Sequence, residues 1–402
     1  MSPDLRGEQP IFVVLAQGSF GLEASKTAAS AVRYLPGRVA AVLDSEHAGE
    51  TAADTLGFGD DVPVVAELAE ALALDPRPEA LLVGVAPQGG ALPDAWRPLL
   101  RRAMDAGLDL WSGLHVRLAG DTEISRRARE AGVRLRDLRE VPDDLPVATG
   151  RAAGTRAHRI LTVGTDCNVG KMTTTLELRR ELERRGVSCA FAATGQTGIL
   201  VEGRGIAVDA VKSDFVAGAA ERLVLEAAGE EGAPPAPDGG LARPADSPLD
   251  PDAAARDGGA APNDGAAVGG GGPDAVLVEG QGSLLHPGYS GVTLGLIHGS
   301  MPQTMVLCWM PSRDTIYGGS YDWVELPPLD RVVEIHEEAA SWVRPPEPCR
   351  VVAVSCCTYD LGEPRARRAV ERAREVTGLP ATDPVRFGPG PLADAVEEAV
   401  RG

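Results

Sequence analysis

An α/β chain of two consecutive parallel-sheet domains is the fold this sequence predicts, on three observations. Short apolar runs alternate with stretches of helical apolar spacing along most of its 402 residues. A glycine loop, GTDCNVGK, sits between one such run and a long helical stretch near the middle of the chain. Residues 141–156, VPDDLPVATGRAAGTR, have the Pro, Gly and Asp content of a connector. The length suits two cores, at roughly 100–200 residues per domain.

The first domain, residues 1–145, opens with IFVVLA (Ile11 to Ala16) as a buried strand and continues into a glycine turn, QGSFG. A helix from Ser25 to Tyr34 leads to a second strand, VAAVLDS, ending near Asp44, and ALLVGVA (Ala80 to Ala86) reads as a third. LPDAWRPLLRRAMDAG has helical spacing and stops at Gly107; LDLWSGLH and a helix near Glu123 to Ala131 continue the alternation. This makes a Rossmann-like sheet. QGSFG carries Gly18 and Gly21 without the full GxGxxG, and Asp44 reads equally as a ribose-binding acid or a helix cap. His115, closing SGLH, is expected to be a buried structural histidine.

A linker at 146–158 should lead to the second domain, 159–402. There RILTV is a strand, the glycine loop follows, and a helix runs to Gly186. CAFAAT, AVLVEG, MVLCWM and RVVAVSCC are further strands, and PLADAVEEAVRG is a closing helix. Residues 229–273 are low in complexity and are expected to loop out as a flexible insertion.

A net charge of −19 argues against nucleic acid or an anionic membrane as partner. No run approaches the ~18 apolar residues of a membrane helix, and the N-terminus lacks a basic leader, so a cytoplasmic location is expected. The expected partner is a small-molecule substrate, with homo-oligomerisation left open. Six cysteines are scattered without a CxxC pair, which fits neither a disulfide framework nor a zinc site; no metal is expected. The 39 cationic residues include only three lysines, Lys26, Lys171 and Lys212. In so arginine-rich a chain, a lysine that remains marks a place where a compact ammonium is needed.

Lys171 lies in the glycine loop. Successive N–H groups of such a loop converge on phosphate oxygens at a helix N-terminus, and the lysine reaches the terminal phosphates. The cradle comprises Gly164, Thr165, Asp166, Cys167, Asn168, Val169, Gly170, Lys171, Met172 and Thr173. Two departures from the common pattern stand out. Five residues separate Gly164 from Gly170 instead of four, and Met172 takes the place of the Mg²⁺-binding hydroxyl, with Thr173 one position late. The ligand is then a nucleotide bound without hydrolysis, or the pyrophosphate of another cofactor.

GTD…VGK, with VEGQG (Val278 to Gly282) after an apolar strand, resembles dethiobiotin synthetase and related P-loop enzymes. Over roughly residues 10 to 395, outside the insertion, the pattern is closer to another group. LAQGSFGLEASKTA, DSEHAG, GVAPQGGALPDAW, GTDCNVGKMTT, ATGQTGI, VKSDFVAGAAE, VEGQGSLLHPGYSGVTLGLIHG and MPSRD resemble the P-loop family catalogued as a domain of unknown function, whose characterised members include D-glutamate N-acetyltransferases. The resemblance implies an N-acetyltransferase whose P-loop holds the diphosphate of acetyl-CoA and whose acceptor is D-glutamate or a similar acidic amino acid. Its base would be Asp166, Glu279, His286 or His298. Loop N–H groups around Gly195 to Gly198 or Gly280 to Ser283 would stabilise the oxyanion. Gln196, Arg204, Lys212 and Arg313 would hold the substrate, although Arg313–Asp314 and Lys212–Asp214 also read as surface pairs. Ser25, Lys26 and Thr27 are candidates to close over the loop from the first domain. An ATP/Mg²⁺-dependent ligase or kinase, and a nucleotide-binding protein without turnover, stand as alternatives.

Overall fold

The computed structural model describes residues 9–22, 24–59, 61–85, 92–231 and 271–401. Most of the expected insertion, and Ala86, lie outside the described residues.

In the N-terminal part the elements follow as β1 (Phe12–Leu15), α1 (Lys26–Tyr34), β2 (Val39–Leu43), α2 (Ala52–Leu56), β3 (Val64–Val65), α3 (Leu68–Leu72), β4 (Ala80–Val83), α4 (Arg97–Asp105), β5 (Asp109–Ser112), α5 (Thr122–Ala131) and β6 (Leu135–Asp137). The strands pair in parallel in the order β3-β2-β1-β4-β5-β6. That is the doubly wound order, with its reversal between β1 and β4. Every residue of β1 and β4 is buried, as a strand covered by helices on both faces requires.

The second part comprises β7 (His158–Gly164), α6 (Lys171–Arg184), β8 (Cys189–Ala192), α7 (Gln196–Glu202), α8 (Val216–Ala228), β9 (Ala275–Val278), α9 (Ser290–Ser300), β10 (Thr304–Trp309), α10 (Leu329–Ser341), β11 (Arg350–Cys356), α11 (Glu363–Thr377), β12 (Ala381–Thr382) and α12 (Gly390–Arg401). Its six parallel strands run β12-β11-β10-β7-β9-β8, so β7, which feeds the glycine loop, lies between β9 and β10. The ends of β9 and β10 are thereby set on either side of the loop.

Segment 146–158 is packed rather than a free tether. The N–H groups of Thr149 and Arg151 both donate to the buried Glu221 of α8, at 3.0 and 2.6 Å. A Cβ on Gly218 would fall 1.7 Å from the Pro146 carbonyl oxygen. Gly218→Ala must therefore push the strap off α8, at an expected cost of about 1–3 kcal/mol. Thermal melting should show this as a lowered Tm, whereas Gly291→Ala, with nothing within 4 Å of its added methyl, should melt like the wild type.

The two sheets share apolar packing. Leu176, Phe191, Ile199 and Leu200 of the second part belong to the same buried cluster as Phe12, Ala28, Val32 and Leu110 of the first. Polar ties reinforce it: Tyr34 donates to Glu177 at 2.9 Å, the hydroxyls of Thr27 and Thr197 meet at 3.2 Å, and Arg139 pairs with Asp209.

Asp44 lies just past β2 and is fully buried. Its carboxylate accepts from the N–H groups of Gly18, Phe20 and Glu46 and pairs with His47. It organises the glycine turn, in place of the ribose contact or helix cap expected from sequence. His115 is exposed instead of buried.

Candidate functional site

The glycine loop closes tightly because its glycines have no room for a side chain. A Cβ on Gly164 would lie 2.7 Å from Val169 Cγ2 and 3.1 Å from Lys171 Nζ. Gly170 has φ +89° and Asn168 φ +59°, the left-handed conformation that glycine and asparagine tolerate. Neighbouring strand ends pin the loop: Thr165 N–H donates to Cys308 O, and Ser283 Oγ donates to Thr165 O, each at 3.0 Å. Lys171 is buried, and its ammonium turns back to donate to the Asp166 carbonyl at 2.8 Å. Burial holds its pKa below the usual lysine range. Thr165 Oγ1 is buried without a hydrogen-bond partner.

The start of α6 departs from the sequence expectation. Met172 does not line the cradle; it packs against the apolar cluster shared by the two domains. The Thr173 side chain lies beside the Tyr34 hydroxyl, Thr174 Oγ1 meets Ser355 Oγ at 2.7 Å, and Thr175 Oγ1 donates to Lys171 O at 2.8 Å. Helical rotation carries the Thr174 and Thr175 side chains to protein neighbours that engage their hydroxyls.

Asp166, expected as a base, is an anchor. Its Oδ1 accepts from Cys167 N–H at 2.6 Å, and its Oδ2 accepts from Arg313 Nη1 at 3.1 Å and Tyr317 N–H at 2.8 Å. These donors occupy the carboxylate and tie the segment after β10 to the glycine loop. Arg313 is thus no surface partner of Asp314: it pairs with Asp166 and also donates to Cys167 O at 2.8 Å.

His286 is buried, with its ring 4.5 Å from that of Tyr289 and 4.6 Å from that of Tyr321. Gly288 N–H donates to its Nδ1 at 3.0 Å. Because Nδ1 accepts this hydrogen bond, the ring carries its proton on Nε2, and burial holds its pKa below the ordinary histidine value. In that tautomer His286 is a hydrogen-bond donor, whereas the sequence suggested a base. The donor atoms of Asp166, Cys167 and His286 lie within 4.8 Å of one another, a spacing a metal ion can use. The adjacent positive charges of Lys171 and Arg313 work against a divalent ion there.

Glu279 follows β9 directly and is 3% exposed. Its Oε2 accepts from Thr194 N–H at 2.9 Å and Gly195 N–H at 3.0 Å, and Gln281 approaches Oε1 at 3.4 Å. Burial raises its pKa to about 7, Asp209 adding to the effect while the two N–H groups and Lys171 oppose it. Gly195 and Gly198 pack on this carboxyl so closely that added Cβ atoms would come within 2.2 Å of Gln281 or Glu279.

The other expected residues fall differently. Gln196 starts α7 with its side chain against Gly113 of the first domain. His298 bonds the Ala339 carbonyl at 3.0 Å and faces Trp342, so it joins α9 to α10 rather than reaching the loop. Arg204 faces Glu202 at 3.9 Å, and Lys212 is exposed before α8; neither contact ties them to the cradle. Lys26, at the start of α1, does approach. Although accessible to solvent, it is recessed among protein atoms. That crowding, then Arg313 and Lys171, lowers its pKa to about 8. An aromatic rim went unread in the sequence: Tyr317 stacks 4.5 Å from the Arg313 guanidinium, and Tyr289 and Trp323 are 52% and 72% exposed. Its only sequence signal is the density of Tyr and Trp between Tyr289 and Trp323.

Comparison with known proteins places this architecture. Residues 146–233 and 266–393 match the P-loop domain described as the C-terminal domain of DUF1611, a domain of unknown function. Residues 45–141 match its N-terminal Rossmann-like domain. The chain belongs to the DUF1611 family. A crystal structure of a DUF1611 protein from Anabaena variabilis superposes with a TM-score of 0.80 at 34% identity, covering 96% of this chain and 99% of that one. Two curated relatives carry the name D-glutamate N-acetyltransferase. The protein from Tritonibacter scottomollicae is 36% identical over 319 residues, 79% of this chain and 81% of its own length. The one from a Pseudoalteromonas species is 31% identical over 315 residues, 77% and 79% respectively. Among the described residues of this DUF1611 member, no helix is long and apolar enough to cross a membrane.

Proposed function

We propose that this protein is an N-acetyltransferase using acetyl-CoA as donor and D-glutamate or a similar acidic amino acid as acceptor. The relatives' names support the reaction class. The observation that supports a CoA-type ligand over Mg²⁺-ATP is the start of α6, where Met172 stands after Lys171 and packs on the interdomain cluster while the Thr174 and Thr175 hydroxyls bond protein partners. A loop so built grips phosphate through N–H groups and lysine and leaves a metal ion without its usual hydroxyl.

Acetyl-CoA supplies the activated acetyl group. Glu279 takes a proton from the acceptor ammonium, since a carboxylate with a pKa of about 7 is poised for that transfer near neutrality. The His286 Nε2–H donates toward charge developing on the acyl oxygen. The positive charge of Arg313 favours an acidic acceptor.

The test is direct. Purified protein given acetyl-CoA and D-glutamate should release free thiol and form an N-acetylated product, without added Mg²⁺. Absence of thiol release across a panel of acidic amino acids, with Mg²⁺-dependent ADP formation from ATP, would overturn the reading in favour of a ligase or kinase.

A further inference from the structure

We propose that Lys26 of the N-terminal domain is a phosphate-binding residue, so that a diphosphate on the glycine loop is clasped between the two domains. Three cations from three separate segments share this cleft: Lys171 at the head of α6, Arg313 beyond β10, and Lys26 at the first position of α1. The carboxylate of Asp166 is the acid paired with them there, and Arg313 already holds it. The neighbouring Glu279 carboxyl, its pKa pushed up to about 7, offsets the remaining positive charge only in part, so the cleft is on balance positive in a chain whose net charge is −19. Two of the chain's three lysines stand in it.

Among the described residues, the charged groups that act most on Lys26 are Arg313 and Lys171, with the thiols of Cys167 and Cys357 also near. Three cations around one carboxylate are unfavourable unless a further anion completes the set. The first turn of α1 also lacks an acidic residue, leaving the positive end of that helix dipole uncompensated. A separate observation points to a ligand. Thr165 in the loop is 2% exposed and its buried hydroxyl lacks a hydrogen-bond partner, as a group awaiting an acceptor oxygen would. The chemistry is that of a diphosphate with two or more negative charges. Both CoA and ATP carry one, so this inference stands independently of which of them the protein uses.

The position of Lys26 is preorganised. The residue after it, Thr27, bonds Thr197 at 3.2 Å across the interface, and α1 packs into the apolar cluster shared with α6 and α7. The clasp can thus form with little rearrangement.

The experiment is calorimetric titration of the full-length wild type, Lys26→Ala and Lys26→Arg with acetyl-CoA, ATP and inorganic pyrophosphate, at pH 7 and pH 9. Lys26→Ala should weaken whichever diphosphate binds by about 10- to 100-fold at pH 7, the loss of one charge-assisted contact. Wild-type affinity should drop between pH 7 and pH 9 as the Lys26 ammonium deprotonates near 8. Lys26→Arg should bind at pH 7 and keep its affinity at pH 9, which a merely structural role would not produce. Loss with acetyl-CoA alone supports the acetyltransferase reading, and loss with ATP alone keeps the clasp while removing that reading. Unchanged affinity of Lys26→Ala for all three ligands, in a protein that melts like the wild type, would overturn the proposal.

Discussion

Lys171→Ala should abolish useful binding of the phosphate-bearing ligand, lowering its affinity about 100- to 1,000-fold, with little loss of stability. The two halves of this expectation have separate causes. The buried ammonium donates to the Asp166 carbonyl without a ligand, and a diphosphate would offer it far stronger acceptors. Truncating a buried charge that meets a charged partner costs a complex about 2–5 kcal/mol. Burial meanwhile disfavours that ammonium, so removing it relieves the folded state of a poorly solvated charge. Lys171→Arg should not restore binding. The Lys171 Nζ already lies 3.1 Å from where a Cβ on Gly164 would be, and a planar guanidinium needs more room than a compact ammonium. The measurement is a ligand titration paired with a thermal melt. Affinity within a few-fold of wild type for Lys171→Ala would remove the cradle from the argument.

The second large effect is expected at Glu279. If this carboxyl is the base, kcat should rise with pH through about 7 and level off above it. Glu279→Gln should lower kcat by about 10²- to 10⁴-fold and erase that limb, leaving ligand affinity close to wild type. Stability should move the other way. The folded-state pKa of about 7 lies above the ordinary 4.5, so the native protein binds the extra proton. Wild-type stability then falls as pH rises from about 4.5 to about 7, and the penalty is fully present above that. Glutamine carries no such penalty and can still accept from Thr194 and Gly195. Glu279→Gln should therefore melt higher than wild type at pH 8, by up to about 3 kcal/mol, and not at pH 4. A variant with normal kcat and an unchanged pH profile would exclude Glu279 as the base.

What could be read in the sequence was what is local. The strand before Gly164, the glycine loop and the helix after Gly170 announce themselves by spacing, and Glu279 by its place at the end of an apolar strand. The minor elements are too short for periodicity to register: β3 and β12 have two residues each, and β6 has three. Long-range pairings were hidden for another reason. Asp166 and Arg313 are 147 positions apart, and nothing near either names the other. The same gap explains Arg313 read as a surface pair with its neighbour Asp314. His286 and His298 flank the same glycine-rich stretch and looked alike. Only tertiary structure separates them, one beside the loop and one between α9 and α10. Met172 stands out in the sequence because it replaces a hydroxyl, yet its destination, a core shared with the other domain, depends on a sheet formed by distant strands of the N-terminal part.

That shared core has a consequence for the molecule as a whole. Leu176, Phe191, Ile199 and Leu200 are shielded by residues of the other sheet, so neither half is a self-sufficient module. Severing the chain within 146–158 would lay bare an oily face on each fragment and strip the strap from α8. The two halves should gain and lose their order together, as one cooperative unit. Spreading the two sheets apart to admit a ligand would mean dismantling their common interior.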